Sequence, residues 1–371
     1  MIGTLKPDPH PKTMHSTRWH TGVLAALGSA FLFGAGTPLA KSLLEHVSPW
    51  MLAGLLYVGS GVGLAIYRMF RRSTTPRLNP GEGRWMLAAV LCGGGIAPVL
   101  LMLGLSSMAA SHAALLLNAE AVLTSLLAWA VFKENLGKRI AWGMVAIVVG
   151  ALVLSWPQNQ AAQSVQWTAL WPALAVVLAC LFWALDNNFT RKVALADASW
   201  VACIKGLVAG TTNLLLAFVL GAALPDAGKL SAAMLLGFLA YGVSLALFVV
   251  ALRHLGASRA GAYFSTAPFV GAIFSVLFFA EPMTWQLLVA ASFMALGIWL
   301  HLTEDHAHSH SHEVLAHTHP HTHGDEKKGR VDHHAHVHEP PVTGTHSHHH
   351  QHEPMTHSHA HYPDAHHRHT H

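Results

Sequence analysis

Glu120 stands at the middle of an apolar run, SHAALLLNAEAVLTSLLAWAVFKE from Ser111 to Glu134, with His112 and Asn118 on its approach and Thr124 four residues beyond. Roughly 20 apolar residues cross the hydrocarbon of a bilayer as a helix. A carboxylate at that depth costs at least about 2.5 kcal/mol on insertion, so it persists where it is paired or faces a cavity. A second polar set follows: Asp186, Asn187 and Asn188 close one apolar run, and Lys205 lies early in the next, with Thr212 and Asn213 deeper. A short loop joins these two runs, which makes them antiparallel neighbours and brings Asp186 and Lys205 to similar depth. Such a pair is either a structural ion pair or a gate, where protonating the carboxylate changes the charge to be stabilised. The candidate pathway for a solute or coupling ion is therefore Glu120, Asn118, His112, Asp186, Asn187, Lys205 and Asn213.

A third set has different chemistry. The last 71 residues, His301 to His371, hold 25 of the 31 histidines, among them His306, His308, His310, His312, His317, His319, His321 and His323. Neutral imidazole binds Ni, Co, Zn and Cu(II), and an unperturbed pKa near 6.5 leaves most rings neutral at cytoplasmic pH. In an extended chain, alternate residues share a face, so His-x-His puts successive rings on one side. The tail holds no cysteine, a single Met355, and nine acids against four Lys or Arg, so it attracts hard and borderline cations. These eight histidines are the candidate metal ligands, with no tightly bound cofactor expected. Few large apolar residues are present, and the tail is expected to be disordered.

Other chemistries find no motif. There is no GxxxxGK[ST] phosphate loop and no GxSxG elbow. His312-Glu313 with His317 is HExxxH, one residue too long for the zinc helix HExxH. Cys92, Cys180 and Cys203 form no CxxC pair, so neither a disulfide frame nor a thiolate zinc site is expected. The basic residues are dispersed over loops, which gives nucleic acid no footprint. An enzyme is not expected.

The elements that must carry these residues are apolar helices. The chain is 52% hydrophobic and only 11% charged, too apolar for an ordinary soluble domain. Ten runs of about one bilayer thickness lie near residues 20–43, 49–69, 85–105, 109–132, 139–156, 168–190, 199–221, 231–252, 258–279 and 284–302. With the N-terminus inside, 19 of the 22 Lys and Arg fall on one side, Lys41 and Lys229 on the other, and Lys205 within a run. The positive-inside bias then puts both termini in the cytoplasm. Met1–Ser16 has no apolar core of a secretory signal. The pattern from Ser111 to Glu134 returns 147 residues later from Ser258 to Glu281, with Ala267-Pro268 where the first copy has Glu120-Ala121. Five runs per half is an odd number, so the second half is inverted relative to the first, a recurring plan of secondary transporters. Gly59 to Gly63 and Gly206 to Gly210 have the GxxxG spacing of close helix contacts.

Ten runs in two halves, with Ala267-Pro268 leading to Glu281 in one and Lys133-Glu134 closing the other, resemble the EamA type of the drug/metabolite transporter superfamily. The resemblance covers residues 20–302 and implies an all-α membrane protein of ten transmembrane helices arranged as two inverted five-helix repeats. The expected organisation is a cytoplasmic segment 1–19, a first repeat 20–156, a second repeat 157–302 and the tail 303–371. The resemblance implies export of amino acids, metabolites, drugs or other small solutes across the inner membrane. Combined with the tail, this reads as a secondary-active exporter of a divalent transition metal, Ni or Co and then Zn, with a metabolite exporter bearing a metal- or pH-responsive tail as the alternative. A metal-responsive sensor that uses the helices only as an anchor belongs to another class. The partners are the lipid bilayer and a small solute or metal ion; a homodimer is left open, and no nucleic acid is expected.

Overall fold

The structure is a computed structural model that describes residues 13–71, 81–132, 137–156, 167–190, 197–255, 257–303, 307–312, 316–323, 344–351 and 355–360. Two compact units divide the chain, Met1–Glu304 and Asp305–His371.

The first unit is all helix. Nine helices among its described residues are long and apolar enough to cross a membrane, from Thr21–Leu44 through Pro49–Arg71 to Trp285–Leu302. The ninth of the ten expected runs differs: it is split into α12 (Ala257–Phe264) and α13 (Ala267–Phe278), each too short to span alone. Pro268 sits in the first turn of α13, and a proline is accommodated there because the first N–H groups of a helix lack partners anyway. The fourth run breaks in the same way, into α5 (Ala110–Leu116) and α6 (Ala119–Phe132), around a turn at Leu117–Asn118.

The remaining helices are α1 (Thr13–Leu44), α2 (Pro49–Arg71), α3 (Glu82–Ala89), α4 (Ala97–Ser106), α7 (Lys138–Ser155), α8 (Trp167–Thr190), α9 (Ala198–Val219), α10 (Ala227–Gly237), α11 (Ser244–Leu255) and α14 (Trp285–Leu302). Wider π-helical turns join α3 to α4 (Val90–Ile96) and α10 to α11 (Phe238–Val243), so the third run of each half carries the same irregularity. Such bulges are frequent at functional sites.

Packing follows the duplication. Each of the second, fourth and fifth runs lies against the run five later: α2 on α9, α5 on α13, α7 on α14. The third run packs on the sixth, α4 on α8, and its counterpart pair, the eighth and first runs, packs as α11 on α1. Glycine makes the tightest of these approaches. A Cβ on Gly206 would lie 2.7 Å from the backbone N of Gly61, and one on Gly210 would lie 2.5 Å from that of Val58. Gly206 and Gly210 of one GxxxG sequence thus sit in the crossing of α9 on α2, whereas Gly59 and Gly63 of the other face Met234 of α10 and Phe238 just beyond it.

The second unit is described only in four short strands: β1 (Ala307–His312), β2 (Ala316–His323), β3 (Gly344–Gln351) and β4 (Met355–Ala360). β1 pairs antiparallel with β4, and β2 with β3. Their alternation of His with Ser or Thr is the period of a strand.

Candidate functional site

The π-helical turn at Val90–Ile96 organises a polar cluster inside the first unit. Widening the helix withdraws backbone carbonyls from the regular i to i−4 ladder, and buried carbonyls require other donors. Tyr57 Oη of α2 donates to Gly93 O at 2.7 Å, and Trp183 Nε1 of α8 donates to the same oxygen at 3.0 Å. Asn213 Nδ2 of α9 donates to Gly94 O at 3.1 Å. The run Gly93-Gly94-Gly95 permits this crowding: Asp186 lies where a Cβ on Gly93 would be.

Asp186 is the centre of the next layer. Lys205 Nζ donates to both of its oxygens at 2.7 Å, and Thr190 Oγ1 donates to Oδ1 at 3.0 Å. The pair is well shielded, with side-chain exposures of 7% for Asp186 and 17% for Lys205. Next in sequence, Asn187 Nδ2 donates to Glu120 Oε1 at 2.8 Å. Glu120 lies in the first turn of α6, one residue past the break, where a carboxylate also meets the positive end of that half-helix. It falls within electrostatic range of both Asp186 and Lys205. Glu120, Asn187, Asp186, Lys205 and Asn213 therefore meet in one place.

Two of the sequence candidates lie elsewhere. Asn118 is buried and turns back on its own helix, donating to Leu115 O at 2.9 Å, with Met294 Sδ at 3.7 Å. It helps to close the break rather than line the cluster. The thiol of Cys180 approaches the carbonyls of Leu116 and Leu117 at 3.7 and 3.9 Å. His112 stands two turns before Glu120, at the other end of the run, within electrostatic range of Glu281.

The sequence reading passed over Tyr57 and Trp183, because an aromatic in an apolar run reads as packing. The visible signal was the triple glycine at 93–95, a weak helix former in the midst of a span. Among the described residues, three buried polar oxygens have no partner: Thr124 Oγ1, Asn188 Oδ1 and Asn213 Oδ1. All three lie on the runs that form the cluster. A buried polar atom without a partner costs about 1–3 kcal/mol, and water or a bound solute commonly relieves it.

Of the tail candidates, His306 lies outside the described residues, as do Lys133 and Glu134 of the fourth run. The register of the strands puts His308 opposite His359 and His310 opposite His357. It puts His317, His319 and His321 opposite His350, His348 and His346. His312 faces Met355, and His323 faces Gly344. Residues directly across an antiparallel ladder have Cβ atoms about 4.5–5.5 Å apart. No group of three or more His, Cys, Asp or Glu able to hold a metal is present among the described residues.

Comparison with known proteins agrees with the duplicated fold. An "Uncharacterized transporter" of Methanothermobacter thermautotrophicus is 25% identical over 294 residues, which are 75% of this chain and 85% of that protein. A solved structure titled "Crystal structure of protein" superposes with a TM-score of 0.58 at 16% identity, over 76% of this chain and 95% of the other, a likeness of fold alone. The EamA-like transporter family matches twice, over residues 20–156 and 170–303, once in each half of the helical unit. With both copies matched, the chain belongs to the EamA-like transporter family.

Proposed function

We propose that this family member is a secondary-active exporter of the inner membrane, with both termini in the cytoplasm and an ion-coupled site at Glu120, Asp186 and Lys205. The observation that carries the site is its charge: two carboxylates and one ammonium share a shielded space, so one negative charge is left without a partner when both acids are ionised. A proton or cation binds there because a lone charge inside a membrane is costly. Occupancy switches the hydrogen bonds of Asn187 and Lys205 between two arrangements. The unpartnered oxygens of Thr124, Asn188 and Asn213 are acceptors for the solute or its water.

The cargo we propose is a divalent transition metal cation, Ni²⁺ or Co²⁺ and then Zn²⁺. The tail supports this choice, since its strand register sets histidines opposite histidines, and a tether raises the local concentration of whatever it binds. A second reading, export of an amino acid or another small metabolite with a responsive tail, is favoured by the oxygen- and amide-rich character of the helical cluster. Purified protein in proteoliposomes loaded with Ni²⁺, Co²⁺ or Zn²⁺, against an amino-acid panel, separates the two. The metal reading expects metal flux that falls, without vanishing, when residues 303–371 are deleted. Amino-acid flux indifferent to metals and to the tail would establish the second reading instead.

A further inference from the structure

We infer that Lys41 and Glu281 form a clasp that shuts one end of the transport path, the end opposite the helix termini that carry Arg68, Arg84 and Arg139. The inference rests on the chain being a transporter, and on no particular cargo.

The clasp is built around the short turn between α4 and α5, Ser107–Ala109. Both helix ends at this turn have backbone groups that no neighbour in the same helix can satisfy. Lys41, at the end of α1, donates from Nζ to Leu105 O at 2.8 Å and Ser106 O at 3.0 Å, the last carbonyls of α4. Glu281, just past α13, accepts from the N–H of Ala110 at 2.7 Å through Oε1 and from that of Ser111 at 2.9 Å through Oε2. The residue preceding α5, Ala109, has no side chain that could serve instead. A cation thus sits at a helix C-terminus and an anion at a helix N-terminus, the favourable sense of both dipoles, through charge-assisted bonds. The charged and titratable groups around Glu281 are Lys41 and His112, with Glu45 beside Lys41.

Two features make this more than a cap. The chain reaches Glu281 through Ala280 at φ 51°, the one non-glycine residue of positive φ among those described. A left-handed alanine costs energy and persists where surrounding contacts hold it. The second feature is the path of the broken runs. α5 packs on α13, so closely that a Cβ on Gly271 would lie 2.9 Å from Ala114 Cβ. Beyond the breaks the runs take different neighbours: α6 packs on α8 and α7, and α12 on α1 and α11. The fourth and ninth runs are together at the clasp and take separate courses past Glu120. Passage through the clasp end requires α5 to leave α13, which requires Glu281 to release the N–H groups of Ala110 and Ser111.

The test uses full-length protein in membranes, with Cys92, Cys180 and Cys203 replaced by serine and one reporter introduced, Ser275→Cys on α13, a position with 0% exposure. A membrane-impermeant maleimide is applied from the clasp side. Glu281→Gln should raise the labelling rate by about tenfold, the weight of a lost charge-assisted bond. Lys41→Met should raise it less, and Glu281→Asp, which keeps the charge, should stay nearer the parent. Labelling of Glu281→Gln and Lys41→Met at the parent rate overturns the clasp, and a lowered melting temperature with unchanged labelling reduces Glu281 to a stabilising cap. Because labelling needs no cargo, a protein that moves no metal would refute the metal reading and leave this result standing.

Discussion

In the fourth run the chain leaves the helix at Leu117–Asn118, and in the ninth at Ser265–Thr266, within one residue of the same repeat position. The broken backbones are satisfied in different ways. The ninth run uses its own hydroxyls: Ser265 Oγ donates to Gly261 O and Thr266 Oγ1 to Tyr263 O. The fourth is closed by its own backbone, from Asn118 N to Leu115 O and from Glu120 N to Leu117 O, and by the Asn118 side chain, and it adds the thiol of Cys180 from α8 at Leu116 O and Leu117 O. Past the break one run continues with Glu120 and the other with Ala267-Pro268. A break mended locally leaves a rigid joint. The added thiol contact links the break of the fourth run to α8, which also carries Asn187 and Asp186. The duplication thus supplied two equivalent joints, and one of them acquired the charge.

The asymmetry can be broken hardest at its ion pair. Asp186→Asn leaves Lys205 shielded and unpaired, and melting should show a loss of about 3–5 kcal/mol. Lys205→Met should cost a similar amount, and the double variant should recover part of it. A double variant no better than the single ones would mean that the two residues do not act as a pair.

The two π-helical turns offer a smaller contrast. Gly93→Ala pushes on Asp186 and should destabilise by about 1–3 kcal/mol, the ordinary cost of overpacking. Gly242→Ala, in the other turn, meets Phe238 Cδ2 at 3.1 Å and should cost less. Equal losses would show that the turns are interchangeable.

Glu120→Gln retains shape and hydrogen bonding and removes the charge. Transport should fall by about tenfold, a barrier change near 1.4 kcal/mol, with the amount of folded protein nearly unchanged. Full flux in this variant would make the carboxylate a packing residue. The reciprocal change Ala267→Glu should create no second site, since it brings no ion pair such as Asp186–Lys205 with it.

The smallest effect compares two helix starts. Asp197 caps α9, accepting from Ser199 N at 2.8 Å and from Arg68 at 2.8 Å, whereas α2 has only Ser48 Oγ, 3.4 Å from Met51 N. Burial raises the Asp197 pKa, but the bonds from Ser199 and Arg68 outweigh it and hold it below the ordinary value. A depressed carboxylate stabilises the fold above its unfolded pKa, near ~3.9, and that contribution disappears as pH falls through the folded value. Asp197→Ala should cost about 1 kcal/mol at neutral pH and nothing in acid. A loss that persists at the lowest pH would assign the effect to packing.

Span positions, the duplication and the rarity of Glu120, Asp186 and Lys205 were legible in the residues alone, because hydrophobic length and the cost of intramembrane charge act locally along the chain. Nine of the ten expected runs are long enough to cross a membrane among the described residues, and the ninth run is split just before Pro268 into two short helices. The partners were not legible. That Asn187 reaches Glu120, that Tyr57 and Trp183 share one carbonyl of Gly93, and that Glu281 caps a helix 170 positions earlier all depend on which helix faces which. Periodicity within a span that is apolar on every side carries no such information. Facing is decided where two backbones can approach, at glycines such as Gly61, Gly93 and Gly206, and that approach exists only once the helices have packed.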